Sequence, residues 1–394
     1  MIRTQEEDKL ATALAGLTGT RAEDWFLVFK ARYGMQVVFE AAAQELGRGS
    51  VATQLFTCCT AVTPVLAAGL RPVYADISRA SAGIDPDALA LDGDAAALMV
   101  QHTYGVVDEG ESARLVAQAH AAGALAVEDS AHCVGRMARD AHGAPLADVS
   151  VHSFGVEKIL NTKFGGAVWI NPETPFPAVA ARARAALAAL PQPGRHLDLL
   201  TRAYRVENRA LAMLPVGASR ALRSGLYRAG LFEVAVSDGE RRGELPYRPM
   251  RPNDWSCARA REALAGLERD EARRRAAVGA YRAAFAQAPD AAPLAASLDG
   301  PLQPLLRFPV LLHDAGQADR VIDAVNSAGF FAQSWYRPLL GPGVLDAGRY
   351  GVPDDLSGLP VTAAMSEAVA ALPTNVDADS ARAIAGIVLG VVSS

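Results

Sequence analysis

Short apolar runs alternate with amphipathic stretches between about residues 34 and 170. Four of the apolar runs have the length and composition of buried β-strands, and they lie at 71–76, 97–101, 124–127 and 149–154. The stretches Val37–Leu46 and Glu111–Ala122 have the composition of helices. Because continuous apolar strands alternating with helices are typical of a parallel sheet covered on both faces, the pattern predicts an α/β fold with a mainly parallel sheet.

The pattern changes after about residue 173, where arginine-bearing helical segments are joined by proline-containing links. Two of these helices are predicted at Leu199–Leu214 and Val216–Leu231, and a longer one at about Cys257–Phe285. The last third of the chain has an apolar strand, a helix and a final helix, predicted at 305–312, at 317–328 and from about Ser380.

These changes predict two domains. A large domain over residues 1–252 would contain the parallel sheet and a helical insertion at about 186–250. A smaller α+β domain would follow over residues 253–394.

The composition excludes some classes of protein. The 394 residues are 51% hydrophobic and carry a net charge of −5, so the chain can bury a large core and has no general attraction for nucleic acid or an anionic membrane. The first residues are polar and acidic, unlike a secretory signal. Four cysteines, at 58, 59, 133 and 257, are too few and too scattered for a disulfide framework. We expect a cytoplasmic protein with free thiols and with neither nucleic acid nor membrane as a partner.

Polar residues follow two neighbouring strands at the point where each strand ends. Asp129 comes after the run 124–127, Ser153 lies at the end of the run 149–154, and Lys158 follows that serine by five residues. Ligands of open α/β sheets bind beyond the carboxyl ends of the strands. An amine that bonds to an aldehyde, an acid for a ring nitrogen and a hydroxyl for a phosphate suit pyridoxal 5'-phosphate (PLP). The sequence therefore predicts a PLP site.

Each of these residues also has another interpretation. Lys163 has the same chemistry as Lys158, and Asp129 would equally suit a helix N-cap or an ion pair. His132 is expected to bond to the cofactor's ring oxygen, to cover its ring face, or to be a structural histidine. No metal site is expected, because no second His or Cys stands at ligand spacing on the same element.

A glycine lies just before the predicted helix Val37–Leu46. A turn that leads into a helix N-terminus presents backbone N–H groups and a favourable dipole to a phosphate. We expect Gly34, Met35 and Gln36 to bind the cofactor phosphate in this way, although a plain turn fits the same residues.

These motifs resemble those of the DegT/StrS sugar aminotransferases, over nearly the whole chain. The segments that carry the resemblance are Asp-Ser-Ala-His at 129–132, Ser-Phe at 153–154 with Lys158 after it, Gly-Gly at 165–166, His-Thr-Tyr-Gly at 102–105 and Asn-Asp-Trp-Ser at 253–256. Members of that family are PLP-dependent homodimers of fold type I. Most of them act on nucleotide-linked keto sugars, with glutamate as amino donor.

The resemblance implies a role for each matching residue. Lys158 would bond to the cofactor, Asp129 would pair with its ring nitrogen, and His132 would lie near its ring oxygen. Ser153 would hold the phosphate together with the backbone at Met35 and Gln36.

Two further residues gain roles from the resemblance. Asn253 would reach the phosphate of the neighbouring subunit. Cys58 lies where family members place an aromatic side chain over the cofactor, so Cys58 or His132 is expected to cover the ring.

The resemblance implies an aminotransferase that converts a keto sugar, which we expect to be nucleotide-linked, into an amino sugar. Three alternatives stay open: a PLP enzyme of the same fold that acts on a cyclitol or another ketone, a pyridoxamine-phosphate dehydratase, and a non-catalytic relative. The lysine counts against the dehydratase, whose best-known relatives lack it.

The insertion at about 186–250 allows three hypotheses. It could be a cap that supplies arginines to a diphosphate or carboxylate, a membrane-surface helix, or a helical excursion that packs in a dimer or is solvated. The arginines concerned are Arg202, Arg205, Arg209, Arg220, Arg223 and Arg228.

Overall fold

The computed structural model describes residues 3–286, 292–293 and 300–393, and its centre is a seven-stranded sheet. The strands are β1 (Trp25–Val28), β2 (Ser50–Thr53), β3 (Arg71–Tyr74), β4 (Ala95–Gln101), β5 (Leu125–Asp129), β6 (Val149–Ser153) and β7 (Gly166–Ile170). Their order is β1-β7-β6-β5-β4-β2-β3. β7 runs antiparallel to β1 and β6, and the other neighbours are parallel, which confirms the predicted mainly parallel sheet.

Helices cover both faces of this sheet. Those of the first half are α1 (Gln5–Thr18), α2 (Ala31–Leu46), α3 (Cys59–Ala67), α4 (Glu109–Ala121) and α5 (Pro177–Ala188). Apolar residues of α2, α3 and α5 form one core with inward side chains of the strands, whereas α4 and α1 contribute to separate cores with the other strand residues. The strands other than the edge strand β3 are buried almost throughout, which explains the continuous apolar runs of β4 and β5.

A second, three-stranded antiparallel sheet is built from the last third of the described chain. Its strands are β8 (Ala292–Pro293), β9 (Arg307–Leu311) and β10 (Val369–Pro373). The helices after α5 are α6 (Arg195–Ala212), α7 (Val216–Arg228), α8 (Asp238–Arg241), α9 (Asp254–Leu264), α10 (Leu267–Phe285), α11 (Ala315–Ser327), α12 (Pro360–Ala368) and α13 (Ala378–Val392). Tyr281, Phe308 and Ile384 belong to the core between this sheet and its helices. The domain boundary at 252–253 stays a prediction.

Two helices differ from their predicted form. The long helix expected at about 257–285 is two helices, α9 and α10, with Gly266 just before α10; glycine is a poor helix former. α2 begins at Ala31, six residues earlier than predicted. Among the described residues, no helix is long and apolar enough to cross a membrane.

Candidate active site

A cavity of about 690 Å³ lies at the carboxyl ends of β4, β5 and β6. Six of the nine residues predicted for the cofactor line it: Met35, Cys58, Asp129, His132, Ser153 and Lys158. Gly34, Gln36 and Asn253 do not belong to its lining. The cavity lies where open α/β sheets bind their ligands, because parallel strands place their last residues along one edge.

Asp129 is the last residue of β5 and is buried at the cavity wall. Its Oδ1 accepts a hydrogen bond from the Ala131 N–H at 3.0 Å. Burial raises the pKa of Asp129, although that backbone N–H and the nearby Lys158 ammonium oppose the rise. A positively charged partner at the carboxylate would favour its ionised form, and a protonated ring nitrogen is such a partner.

The neighbouring acid, Glu128, serves the fold. Its carboxylate lies 2.8 Å from His102 Nε2 and accepts hydrogen bonds from Ser150 Oγ and the Ala138 N–H, and it does not line the cavity. Successive side chains of β5 point to opposite faces of the sheet, so Glu128 bonds within the protein interior whereas Asp129 lines the cavity.

Lys158 follows β6 on a loop beside the cavity. Burial lowers the pKa of its ammonium, against the opposing influence of Cys58 and Asp129. A lysine with a lowered pKa is neutral more often, and the neutral amine is the nucleophile.

Lys163 also lines the cavity, so position alone does not distinguish Lys158 from Lys163 as the cofactor's lysine. It adopts a φ of +81° and forms a backbone bridge with Gly155. Burial lowers its pKa too, followed by repulsion from Arg205. Its charged neighbours thus differ from those of Lys158, which senses Asp129 and Cys58. This difference supports Lys158 as the cofactor's lysine.

His132 is held as a neutral ring. Its Nδ1 accepts the Tyr104 N–H at 3.0 Å, and its Nε2 lies 3.2 Å from the Tyr336 hydroxyl. Burial, and then repulsion from Lys158, lowers its pKa well below the ordinary histidine value. Both nitrogens have partners, so covering a cofactor ring requires no exchange of partners, whereas a bond to the ring oxygen would require Nε2 to leave Tyr336.

The segment 331–338, which follows α11, supplies further wall that the sequence did not indicate. Trp335 lies parallel to the His132 ring, with centroids 5.6 Å apart, and its carbonyl oxygen accepts a hydrogen bond from the Tyr104 hydroxyl. Trp335 and Tyr336 stand in a part of the sequence that contains no motif, so the sequence does not predict that they lie at the cavity.

Cys58 is the N-cap residue of α3 and faces the cavity. The pKa of the Cys58 thiol is lowered, chiefly by a hydrogen bond from the Cys59 thiol and then by the charge of the Lys158 ammonium. The Thr60 hydroxyl, which lies 3.0 Å from Cys58 Sγ, lowers this pKa further. The thiol predicted to lie against the cofactor ring is therefore at the cavity wall and has thiolate character.

The predicted glycine turn before α2 is wrong. Gly34 lies inside α2, and a Cβ at this position would come within 2.3 Å of Val168 Cγ2, so the glycine allows the helix to approach β7. Gln36 donates to Glu40 instead of facing the cavity. The N-terminus of α2 nevertheless lies at the cavity, because Ala31 and the residues flanking it belong to the lining.

Two ion pairs join this helix terminus to the segment 233–240. Lys30 Nζ lies 2.6 Å from Glu233 Oε1, and Arg32 binds Glu240; all four side chains are largely or wholly buried. Both cations line the cavity. Their partners are more than 200 residues away in sequence, and no local sequence pattern predicts these pairs.

The side chain of Asn253 forms hydrogen bonds with other residues of this chain, away from the cavity. Its Oδ1 caps α9 by accepting the Ser256 N–H at 2.8 Å, and its Nδ2 donates to Asp198 at 2.5 Å and Thr201 at 2.8 Å. Its contact with a neighbouring subunit's phosphate stays a prediction.

The helical insertion forms a hairpin of α6 and α7, and its inner side reaches the cavity through Tyr204. None of the six arginines proposed for a substrate cap belongs to the described cavity lining. The arginine-cap hypothesis is therefore not supported by the positions of these residues.

The chain resembles known proteins in sequence and in fold. A model of the DegT/DnrJ/EryC1/StrS aminotransferase family matches residues 6–184 and 238–388. No curated protein matches the chain.

Solved structures share the fold. PseC from Helicobacter pylori, an aminotransferase involved in the biosynthesis of pseudoaminic acid, has a TM-score of 0.72 at 17% identity, over 99% of this chain and 92% of that chain. The aminotransferase TlmJ from Streptoalloteichus hindustanus has a TM-score of 0.69 at 20% identity, over 99% and 92%. DesI, solved in the presence of its TDP-sugar product, has a TM-score of 0.68 at 21% identity, over 100% and 86%.

The family match extends over most of the chain and includes Asp129 and Lys158. The chain therefore belongs to the DegT/DnrJ/EryC1/StrS aminotransferase family, whose members are PLP-dependent enzymes.

Proposed function

We propose that this aminotransferase uses PLP to convert a nucleotide-linked keto sugar into an amino sugar, with glutamate as the amino donor. The observation that carries the proposal is the meeting of Lys158, Asp129 and Ser153 at one cavity, at the carboxyl ends of adjacent strands.

The residues present fit the cofactor. The cavity offers a buried carboxylate for a protonated ring nitrogen, a lysine with a lowered pKa for an aldehyde, and a neutral aromatic wall at His132. For the phosphate it offers the Ser153 hydroxyl and the N-terminus of α2. When bound, PLP supplies an aldehyde that takes up an amino group and a ring that draws electrons from the reacting carbon.

The chain's own residues then bind, orient and move protons. Asp129 holds the ring nitrogen in its protonated form. Lys158 Nζ is the base that takes a proton from the α-carbon of the donor and returns one to the former carbonyl carbon of the sugar. Ser153 and the α2 terminus fix the position of the ring.

The substrate class rests on similarity and on the size of the site. DesI, whose structure contains a TDP-sugar product, shares the fold. The cavity volume lies within the range of small-molecule sites. Lys30, Arg32 and Arg337 line the cavity, and each of them is already paired with a carboxylate of the chain.

A two-stage assay tests the proposal. The purified protein with PLP is mixed with glutamate alone, and we expect its visible absorbance band to be lost and 2-oxoglutarate to form in one equivalent. Addition of a keto sugar nucleotide should restore the band and give an amino sugar identified by mass. Loss of the band with glutamate, but restoration only by ketones without a nucleotide, would contradict the substrate class. No reaction with glutamate would contradict the donor.

We further propose a cytoplasmic homodimer in which Asn253 lies near the partner's site. Sedimentation should give twice the mass of one chain, and a monomeric active enzyme would contradict the proposal.

A further inference from the structure

The hairpin of α6 and α7, residues 195–231, presents an apolar surface to solvent. On α6, Leu199 and Val206 are 65% and 70% exposed, and Met213, the C-cap residue of this helix, is 86% exposed. Because these residues are spaced by seven, they form one stripe along the helix, on the side away from its buried face. α7 has no buried side chain at all. Eight of the twelve large hydrophobic residues exposed in the described chain lie on this hairpin, so the exposure is concentrated here.

The same hairpin is strongly basic. It carries seven arginines and two carboxylates, a net charge of +5, in a chain whose net charge is −5. Arg202 pairs with Asp198 at 3.0 Å, and no other of the seven makes an ion pair with a described residue. An exposed apolar stripe flanked by arginines is typical of helices that lie in a membrane interface.

The elbow of the hairpin adds a second observation. A shallow cavity of about 350 Å³ is lined there by Leu211, Leu214 and Val216, together with Arg220 and Arg223. Apolar walls beside two guanidinium groups match the two chemistries of a phospholipid, an acyl chain and a phosphate.

Other occupants fit this surface less well. A second copy whose twofold axis passed through the hairpin would bring the same basic face against itself, and like charges across an interface are unfavourable. The family model leaves residues 185–237 unmatched, so the sequence of the hairpin does not belong to the pattern that the family shares.

We propose that the α6–α7 hairpin docks this protein on a bilayer that contains anionic phospholipids, contrary to the expectation from the net charge of the whole chain. Leu199, Val206 and Met213 enter the interface, and the arginines contact the headgroups. The inner side of α6 contributes Tyr204 to the wall of the candidate active site, so docking holds that site one helix away from the bilayer.

Vesicle sedimentation tests the proposal with the full chain. Vesicles of phosphatidylcholine alone are compared with vesicles that also contain phosphatidylglycerol. We expect binding to the anionic vesicles only, and weaker binding as salt screens the charges. Replacing Arg195, Arg209 and Arg220 by Gln should weaken binding on the order of a hundredfold, because each arginine near an anionic surface contributes separately.

A matched pair of variants tests the apolar stripe. Leu199→Ser/Val206→Ser should weaken binding at least tenfold, whereas Leu17→Ser/Leu345→Ser, which removes two exposed leucines elsewhere, should not. Circular dichroism and thermal unfolding check that each variant is folded. Equal binding to both kinds of vesicle, or anionic binding that survives the hairpin variants, would overturn the proposal. So would a hairpin variant that turns a dimer into a monomer with unchanged vesicle binding, because the stripe would then be a contact between copies.

Discussion

The buried charge of Asp129 destabilises the folded protein, but the proposed reaction requires that charge. Burial raises its pKa, so keeping it ionised destabilises the folded protein until a cation binds beside it. A buried acid at a strand's carboxyl end is a functional candidate for this reason.

We predict that Asp129→Asn lowers kcat by about 10²–10³-fold, because a neutral amide no longer holds the ring nitrogen protonated. The free energy of unfolding should stay the same or rise, since the buried charge is removed. Steady-state kinetics and chemical denaturation measure the two effects, with the exposed Asp140→Asn as control. A variant of normal activity, or one that is inactive because it is unfolded, would contradict this role.

His152 gives the fold a dependence on pH. Its Nδ1 accepts the Gly135 N–H at 3.2 Å, and burial lowers its pKa to about 4. The unfolded chain takes up a proton near pH 6.5 and the folded chain does not, so stability is lost as the pH falls from about 6.5 to 4. The loss attributable to this residue is about 3 kcal/mol.

Denaturation at pH 7 and pH 4.5 tests this expectation. His152→Gln should be less stable at pH 7 and should lose less stability on acidification than the unaltered protein. The exposed His142→Gln should behave like the unaltered protein. An identical loss in all three proteins would show that other groups cause the acid sensitivity.

At the level of elements, α2 shows what a sequence pattern can and cannot predict. The apolar stretch from Val37 predicts the helix, but the six residues before it contain Arg32 and Gly34, which interrupt the apolar pattern. The packing of α2 on Val168 explains why this helical position is a glycine. The strands β4, β5 and β6 were predicted, because burial on both faces gives them continuous apolar runs, whereas β1 and β2 were not predicted.

We predict that Gly34→Ala lowers the free energy of unfolding by about 1–3 kcal/mol, since the new methyl group overlaps Val168. The double variant Gly34→Ala/Val168→Ala should recover part of the loss. Gly16→Ala, at a helical glycine with nothing within 4 Å of the added Cβ, should be stabilising. If Gly34→Ala weakened phosphate binding without affecting stability, the glycine would belong to the site after all.

At the scale of the whole molecule, contacts between distant segments complete the site. The motifs around Asp129, Ser153 and Lys158 could be predicted because strand ends converge at one sheet edge. Lys30 and Glu233 could not, because their pairing depends on how the segment after the hairpin returns to α2. The sequence pattern alone does not predict how this segment returns to α2.

We predict that Glu233→Gln lowers the free energy of unfolding by about 3–5 kcal/mol, because it leaves the buried Lys30 ammonium without its carboxylate. Lys30→Met/Glu233→Gln should recover most of this loss. Denaturation measures both, and limited proteolysis at 233–240 should follow the same order. Equal stability of the single and double variants would contradict a buried ion pair.

The central claim is that Lys158, and not Lys163, is the cofactor's lysine, and the half-reaction with glutamate tests it most directly. Lys158→Ala and Lys163→Ala are prepared with PLP, and 2-oxoglutarate is measured after one equivalent of glutamate. We predict that Lys158→Ala loses at least 10²-fold in rate, as expected for removal of a positioned proton-transfer group, while Lys163→Ala stays within a few-fold of the unaltered protein. Full turnover by Lys158→Ala would contradict the account.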